Sequence, residues 1–185
     1  MGAHEHKKHS IKNINFAVVT ISDTRTKQND HSGIFIQEIL KNQGHNILDY
    51  DIIKDEKKEI TSKAENLLSI DDIQSIIFTG GTGISSRDIT IDAVKPLIKK
   101  ELPGFGEIFR MLSMDEIGSA AIMSRAICGI AEDKIIFCIP GSKGAVKLAI
   151  EQLILKECGH MLWEINRWHP WNHLKISLIL TNQKK

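Results

Sequence analysis

The sequence has almost no excess of charge of either sign. Its 185 residues include 24 Lys and Arg against 23 Asp and Glu, which leaves a formal net charge of +1 at pH 7. Proteins that bind the backbone of a nucleic acid concentrate a clear surplus of Lys and Arg on one face. We therefore expect no nucleic-acid partner. A small anion held by backbone groups remains compatible with this balance, because such groups add nothing to the count of basic residues.

Long apolar runs are missing as well. The best run, residues 135–139, is far shorter than the roughly 20 residues that a membrane-spanning helix needs. The first residues, MGAHEHKKHSIKN, have no apolar stretch behind their basic side chains, so they do not match a secretory signal. We expect no membrane span and a cytoplasmic location.

Cysteine is scarce, and its placement excludes two kinds of site. Cys128, Cys138 and Cys158 are odd in number, and no two of them have C-x-x-C spacing. This pattern favours reduced, buried thiols over disulfides or a zinc site. The remaining composition, with 42% hydrophobic and 25% charged residues, fits one domain with an ordinary hydrophobic core.

What the sequence does contain is an alternation of β-branched strands and amphipathic helices. This alternation is typical of a mostly parallel sheet covered by helices, so we predict a three-layer α/β/α domain over residues 14–167. A polar tail (1–13) precedes it and an extension (168–185) follows. The predicted strands are 14–21, 47–53, 75–79, a paired strand within 120–127, and 134–139. The predicted helices are 33–42, one around 60–68 with a capping box at Ser62 and Glu65, one from 90, 105–112, and a long one after 141.

Ligands of open α/β sheets bind where the strands end, and the strongest candidate there is the glycine-rich loop after residue 79. Three glycines in four residues, Gly80, Gly81 and Gly83 around Thr82, allow backbone N–H groups to turn toward an anion. The loop lacks the lysine of a Walker motif, and Ser86 stands where a dinucleotide fingerprint has its third glycine. The alternative is a tight turn in which Thr90 caps the next helix, but this density of glycine exceeds what a turn requires.

Two further loops leave predicted strands with polar side chains. The loop after the first strand carries Ser22, Asp23 and Thr24, and taken alone it favours a turn in which Asp30 or Ser32 caps a helix. The loop after the last strand carries Gly141, Ser142 and Lys143 at a helix N-terminus, which suits an anion, although Ser142 is also an ordinary cap. The second of these loops is expected at the same sheet edge as the glycine-rich loop.

Two carboxylates accompany these loops. Asp88 ends the glycine-rich loop and Asp55 follows the second strand. An acidic residue beside a phosphate site is unfavourable unless a divalent cation lies between them, and magnesium is usually held by one or two carboxylates together with substrate phosphates. Magnesium and a nucleotide are therefore suggested together. For Asp55 alone, a solvated loop acid is the alternative.

The histidines do not support a metal site. His4, His6 and His9 fall in a terminal segment without a fixed scaffold, and His169 and His173 lie in an extension of unclear fold. We assign none of them a catalytic part.

Taken together, five ordered blocks resemble the MoaB/MogA family of molybdenum cofactor biosynthesis. They are SDTRT with DHSG, GGTGISSRDIT, PGFGEIFRMLS, EIGSAAIMSRAICGI and CIPGS, and the resemblance covers about residues 14–162. One glycine loop is weak evidence, whereas five blocks in order are specific. The sequence departs from the family in lacking proline at Ser86 and Ile91 and in having PGSKGA for PGSPKA, which affects loop rigidity rather than chemistry.

The resemblance implies a molybdopterin-binding fold and a reaction. Molybdopterin is adenylylated by ATP with Mg²⁺ as cofactor, which releases pyrophosphate. It also implies a homo-oligomer, trimeric or hexameric, and a downstream metal-insertion protein as a partner. An apolar block over residues 105–123 independently favours a closed oligomer. The alternatives are a catalytically silent molybdopterin-binding or scaffold protein and, less favoured for want of a lysine in the glycine-rich turn, a small nucleotide-binding kinase.

The resemblance also assigns roles to residues. Asp55 and Asp88 are the catalytic candidates and position magnesium or the nucleotide. The residues expected to bind molybdopterin or ATP phosphates are Ser22, Asp23, Thr24, Gly80, Gly81, Thr82, Gly83, Gly141 and Ser142. Asp30 and Lys143 are additional candidates.

Overall fold

The computed structural model describes residues 10–167, and the six strands in this part of the chain form one sheet in the order β2-β1-β3-β6-β5-β4. The strands are β1 (Asn15–Ile21), β2 (Asn46–Ile53), β3 (Ser75–Thr79), β4 (Lys100–Glu101), β5 (Ile127–Ala131) and β6 (Lys134–Ile139). Most of the predicted polar tail (residues 1–9) and the whole predicted extension (168–185) lie outside the described residues, and so do all five histidines discussed above.

Helices connect these strands and flank the sheet. They are α1 (His31–Asn42), α2 (Lys57–Leu68), α3 (Thr90–Val94), α4 (Pro103–Ile117), α5 (Lys143–Leu148) and α6 (Leu155–Asn166). Short 3-10 helices occupy Lys95–Leu97 and Gly118–Met123, and a π-helical segment, Ala149–Ile154, joins α5 to α6. Within residues 10–167, no helix has the length and hydropathy needed to cross a membrane.

Three of the strand pairs in the sheet are parallel and two, β4 with β5 and β5 with β6, are antiparallel, so β5 alone among the six strands runs against the others. β1 pairs in parallel with β2 and with β3, and β3 pairs in parallel with β6. β5 runs antiparallel to β6 through a tight turn at Glu132 and Asp133, which both have positive φ, as two-residue hairpin turns require. The carboxyl ends of β2, β1, β3 and β6 therefore lie along one edge, which we call the carboxyl edge.

The alternation of side chains along the central strands produces the three layers. Phe16 and Val18 of β1 pack with α1, α4, α5 and α6 on one face, whereas Ala17 and Val19 pack with α2 and α3 on the other. Every residue of β3 and β6 is buried, as expected for central strands covered by helices on both faces. The predicted three-layer α/β/α fold is confirmed.

The predicted capping box of the second helix is wrong. α2 begins at Lys57, with Glu56 as its N-cap, and Ser62 and Glu65 lie in its interior. A capping box requires its serine at the N-cap. Because no proline or glycine interrupts residues 57–61, the helix extends upstream of the predicted start.

The predicted strand within 120–127 is also wrong over most of its length. α4 continues to Ile117, beyond the predicted end at 112, and the next residues form the 3-10 helix Gly118–Met123. β5 begins only at Ile127 because its partner β6 ends at Ile139, so no strand is available to pair with the preceding residues. Ile122, 82% exposed, faces solvent.

The cysteines are buried, as predicted. Cys128, Cys138 and Cys158 are all free thiols inside the core. Burial raises the pKa of Cys158 to about 12 and raises the pKa values of the other two thiols as well. Such thiols remain protonated at neutral pH and are poor nucleophiles.

Candidate functional site

Four loops meet at the carboxyl edge and are joined by direct contacts. The loop after β1 contacts the loop after β2, because the Asp55 N–H donates to Asp23 Oδ1 over 3.4 Å. It contacts the glycine-rich loop through the ion pair of Asp23 and Arg87. Directly after this loop, in the first turn of α1, Ser32 Oγ donates to the Gly141 carbonyl over 2.8 Å. Loops far apart in sequence thus form one continuous surface.

The glycine-rich loop turns sharply directly above the end of β1. Gly80 and Gly81 have φ of +100° and +59°, a region that L side chains rarely adopt. A side chain at Gly80 would strike the backbone carbonyl of Ile21, and one at Gly81 would lie 2.9 Å from both carboxylate oxygens of Asp55. Glycine is therefore required here both by the backbone conformation and by the close approach of neighbouring loops.

The carbonyl and N–H groups of this loop have different partners. Thr90, fully buried, donates its hydroxyl to the Gly80 carbonyl over 2.8 Å and its N–H to the Gly81 carbonyl over 2.9 Å. Ile89, not Thr90, is the N-cap of α3, so the proposed capping role of Thr90 is wrong. Within residues 10–167 the N–H groups of residues 81–84 donate no hydrogen bond. Such backbone N–H groups are suited to an anion.

Asp55 and Asp88 face this loop from two sides. Asp55 Oδ1 is buried and has no hydrogen-bond partner among residues 10–167. Burial raises the pKa of Asp55, the Ile89 N–H opposes that shift, and the negative charges of Asp88 and Asp23 add to it. Asp88 Oδ2 accepts from the Ser85 N–H over 2.9 Å and would lie 2.8 Å from a side chain at Gly83.

These carboxylates are chemically suitable ligands for magnesium, but they are too few to hold the ion by themselves. The orphaned Asp55 oxygen and the mutual repulsion of three carboxylates are features that a bound divalent cation relieves, and magnesium prefers oxygen ligands. Within residues 10–167, however, no three His, Cys, Asp or Glu side chains are arranged to hold a metal ion by themselves. The remaining ligands would have to be substrate phosphates and water.

The loop after β1 divides into an exposed part and a buried part. Ser22 Oγ accepts from the N–H groups of Thr24 and Arg25, which curls the exposed part toward the edge. Asp30 is only 1% exposed, is the N-cap of α1, and accepts from Thr20 Oγ1 over 2.5 Å and from the Tyr50 hydroxyl over 2.8 Å. The alternative in which Asp30 caps a helix is confirmed. Desolvation raises the pKa of Tyr50, and the hydrogen bond that Tyr50 donates to Asp30 raises it further.

The loop after β6 presents a helix N-terminus to the same edge. Ser142 is the N-cap of α5 and accepts from the Ala145 N–H over 3.4 Å. Gly141 lies against Gly80, since a side chain on Gly141 would come within 3.2 Å of the Gly80 Cα. Lys143 is exposed in the first turn of α5. The structure thus brings all the predicted loops together.

Arg125, which no sequence pattern singled out, also bonds to the site. Its guanidinium reaches the glycine-rich loop and donates to the carbonyls of Thr82, Gly83 and Asp88. The contacts span 37 to 43 residues, so no local pattern could reveal them. The only available signal was the presence of Arg125 inside the EIGSAAIMSRAICGI block.

A cavity of about 530 Å³ lies elsewhere, between the β4–β5 region and α6. Its walls include the apolar side chains of Leu102, Ile130, Met161 and Ile165. Charged side chains, among them Lys99, Lys100 and Glu132, line it as well, and no predicted site residue does.

A mostly parallel sheet whose carboxyl edge carries a glycine-rich loop and two carboxylates is typical of α/β proteins that bind small phosphorylated ligands. Residues 17–160 match the family model described as "Probable molybdopterin binding domain". The chain therefore belongs to this molybdopterin-binding family, the MoaB/MogA family that its motifs resemble.

Individual relatives agree with this assignment. The molybdenum cofactor biosynthesis protein B of Bacillus cereus is 46% identical over 168 residues, which cover 90% of this chain and 99% of the relative. A crystal structure of a molybdenum cofactor biosynthesis protein B is 46% identical with a TM-score of 0.82, and it covers 84% of this chain and 98% of that one. The tungsten cofactor synthesizing protein MoaB from Pyrococcus furiosus is 36% identical, with a TM-score of 0.76 and coverage of 84% and 99%.

Proposed function

We propose that this protein acts in molybdenum cofactor biosynthesis and catalyses the Mg-ATP-dependent adenylylation of molybdopterin. The terminal phosphate oxygen of molybdopterin attacks the α-phosphorus of ATP, a new phosphoanhydride bond forms, and the bond to the β-phosphate oxygen breaks and releases pyrophosphate. The observation that carries this proposal is that the N–H groups of residues 81–84, which donate no hydrogen bond within residues 10–167, lie beside the carboxylates of Asp55 and Asp88.

The reaction brings two anions together, so its barrier is lowered mainly by positioning and by charge neutralisation. The N–H groups of the glycine-rich loop and the N-terminus of α5 at Ser142 stabilise phosphate oxygens without adding mobile charge. The loop with Ser22, Asp23 and Thr24 borders the same surface and orients the ligand. Lys143, at the first turn of α5, supplies a positive charge at the rim.

Asp55 and Asp88 are the residues that would hold magnesium. Bound there, magnesium would neutralise the negative charge between the carboxylates and the phosphates. The chain's own contribution is to keep Asp55 close behind Gly81 and to keep Asp88 tied to the Ser85 N–H, so that both carboxylates are in place before the ligand arrives. Preorganised groups of this kind cost little reorganisation during the reaction.

The main competing function is a molybdopterin-binding protein of the same pathway without catalysis. The name of the Bacillus cereus relative gives a pathway and no reaction, which keeps this alternative open. The two functions differ in their products, because a binding protein retains molybdopterin but releases no pyrophosphate.

The decisive experiment incubates the purified protein with molybdopterin, ATP and magnesium and measures pyrophosphate and adenylyl-molybdopterin. We expect both products, and we expect Asp88→Asn to reduce turnover at least about 100-fold while molybdopterin binding changes little. Asp71→Asn, an exposed aspartate before β3 at the opposite edge, is the matched control and should leave turnover unchanged. Tight molybdopterin binding without either product would refute the transferase and support the binding protein.

We also propose that the protein is a homo-oligomer, trimeric or hexameric, and that a downstream metal-insertion protein receives its product. The support for the oligomer is an exposed apolar face, which comprises Ile108, Met111, Met114, Ile117, Ile122 and Met123. Contiguous exposed apolar side chains of this kind mark association surfaces.

A further inference from the structure

Arg125 stands between the 3-10 helix and β5, and its side chain reaches across to the glycine-rich loop. Its Nε donates to the carbonyls of Thr82 (3.1 Å) and Gly83 (2.9 Å), and its Nη2 donates to the carbonyl of Asp88 (2.7 Å). Nη2 also pairs with the Asp92 carboxylate over 3.1 Å. One guanidinium therefore joins the start and the end of the loop.

These three bonds determine which way the loop N–H groups point. In a trans peptide unit the carbonyl of one residue and the N–H of the next point in opposite directions. Because Arg125 binds the carbonyls of Thr82 and Gly83, the N–H groups of Gly83 and Ile84 face away from it, and these are among the N–H groups without an acceptor in residues 10–167.

The third bond, from Arg125 to the Asp88 carbonyl, affects the part of the site near Asp55, a candidate magnesium ligand. With the Asp88 carbonyl held by Arg125, the N–H of Ile89 points to the opposite side of that peptide unit. This is the N–H that interacts with the Asp55 carboxylate and holds the Asp55 pKa lower than burial alone would. The same side chain thus orients donors toward both parts of the site.

We propose that Arg125 is a positioning residue that holds the glycine-rich loop in the conformation that binds the phosphate of molybdopterin or ATP. This inference rests on the proposed function for the identity of the ligand. Arg125 acts from behind the loop, through carbonyl groups, and does not touch the phosphate. Its fork-shaped guanidinium bonds in two directions at once, which the single ammonium of lysine does not reproduce.

The test compares Arg125→Ala and Arg125→Lys with the wild-type protein in three measurements: the Kd for molybdopterin, KM and kcat for adenylylation, and amide NMR shifts. We expect both variants to raise Kd and KM about tenfold or more, because preorganisation is lost, with a smaller change in kcat. Amide shifts of residues 81–84 and 89 should move in the absence of ligand, while those of β1 and β6 remain in place.

Two control variants separate this role from a general effect on folding. Arg110→Lys makes the same substitution on α4 and should change neither Kd nor the loop shifts. Asp92→Asn removes only the carboxylate partner of Arg125 and should give a smaller effect than Arg125→Lys, since the three carbonyl bonds remain. The lysine variant is the more informative one if the alanine variant unfolds.

The outcomes distinguish this inference from the proposed function. If the wild-type protein binds molybdopterin but forms no adenylylated product, the transferase is refuted, and Kd still tests Arg125. Wild-type Kd, KM and loop shifts in Arg125→Lys would overturn the role of Arg125 while leaving the transferase intact. If the wild-type protein does not bind molybdopterin or ATP at all, unchanged amide shifts in the variants would overturn the inference and altered shifts would support it.

Discussion

The carboxyl edge and the exposed face of α4 differ in the chemical character of the groups that each offers to a ligand or partner. At the carboxyl edge, carbonyls and side chains from four loops bond to one another, and the groups without a partner in residues 10–167 are polar: the N–H groups of residues 81–84 and Asp55 Oδ1. On the face formed by α4 and Gly118–Met123, the exposed groups are apolar, such as Met111, 63% exposed, and Ile122.

The difference indicates what each region binds. Beside the half-buried carboxylates of Asp55 and Asp88, the N–H groups that donate no hydrogen bond within residues 10–167 favour charged ligands such as a phosphate and a cation. An exposed apolar face requires another apolar surface, and its burial stabilises an assembly by about 25 cal/mol per Å². As proposed above, one chain would combine a ligand site with a separate association surface, and changes in one region should leave the other unaffected.

The largest expected effect comes from Gly81→Ala, which alters the carboxyl edge and leaves the apolar face unchanged. The new methyl group would strike the Thr90 hydroxyl and lie 2.9 Å from both Asp55 oxygens, and φ of +59° is unfavourable for alanine. We expect molybdopterin binding to weaken about 100-fold, measured as Kd. Gly104→Ala, where an added methyl meets nothing within 4 Å, is the matched control. Tight binding by Gly81→Ala would show that the loop does not contact the ligand.

A charge placed on the apolar face should have an intermediate effect. Met111→Glu puts a carboxylate at the centre of the proposed interface, where burial without a partner costs several kcal/mol. We expect the oligomer to dissociate at micromolar concentration, measured by light scattering, while the monomer still binds molybdopterin. Ile70→Glu, at an exposed apolar residue outside this face, should leave the assembly unchanged. A wild-type monomer would contradict the proposed oligomer directly.

The smallest expected effect concerns the pH dependence of stability at Asp55. The pKa of Asp55 is raised above 3.8 in the folded state. Its contribution to the free energy of unfolding is therefore present below pH 3.8 and is lost as the pH rises through the folded-state pKa. Asp55→Asn should therefore raise Tm at pH 7 relative to the wild type, by no more than about 2 °C because the group is partly solvated.

Magnesium provides the control for that measurement. If Asp55 holds the cation, magnesium should raise the Tm of the wild-type protein and leave that of Asp55→Asn unchanged. An equal rise of Tm in both proteins, measured by thermal unfolding, would place the cation elsewhere.

The sequence predicted the parts of the fold that depend on local pattern. The apolar run at residues 75–79 coincides with β3, and the predicted helix start near Thr90 coincides with α3. The same pattern failed where local signals were ambiguous. Ser62 has the composition of a cap, but α2 continues through it, and the residues before Ile127 resemble a strand that has no partner.

The candidate site follows the same division. Residue types alone indicated Gly80, Gly81 and Gly83, because a cluster of three glycines in four residues is uncommon, whereas Asp55 and Asp88 received their roles from the resemblance to the family. Residue types did not indicate Arg125, which resembles any surface arginine until its contacts are known. Asp30 could be a cap or a ligand from the sequence, and only its bonds to Thr20 and Tyr50 show that its oxygens are used inside the fold.

The sequence by itself thus determined the order of the strands along the chain, the loops that carry the candidate phosphate-binding residues and the family to which the motifs point, because each depends on neighbouring residues. The tertiary structure decided which loops touch, which N–H groups remain available and which apolar side chains stay exposed. These properties depend on packing between residues that are distant in the chain, and no local pattern encodes the direction of a peptide group or the side chain that holds it.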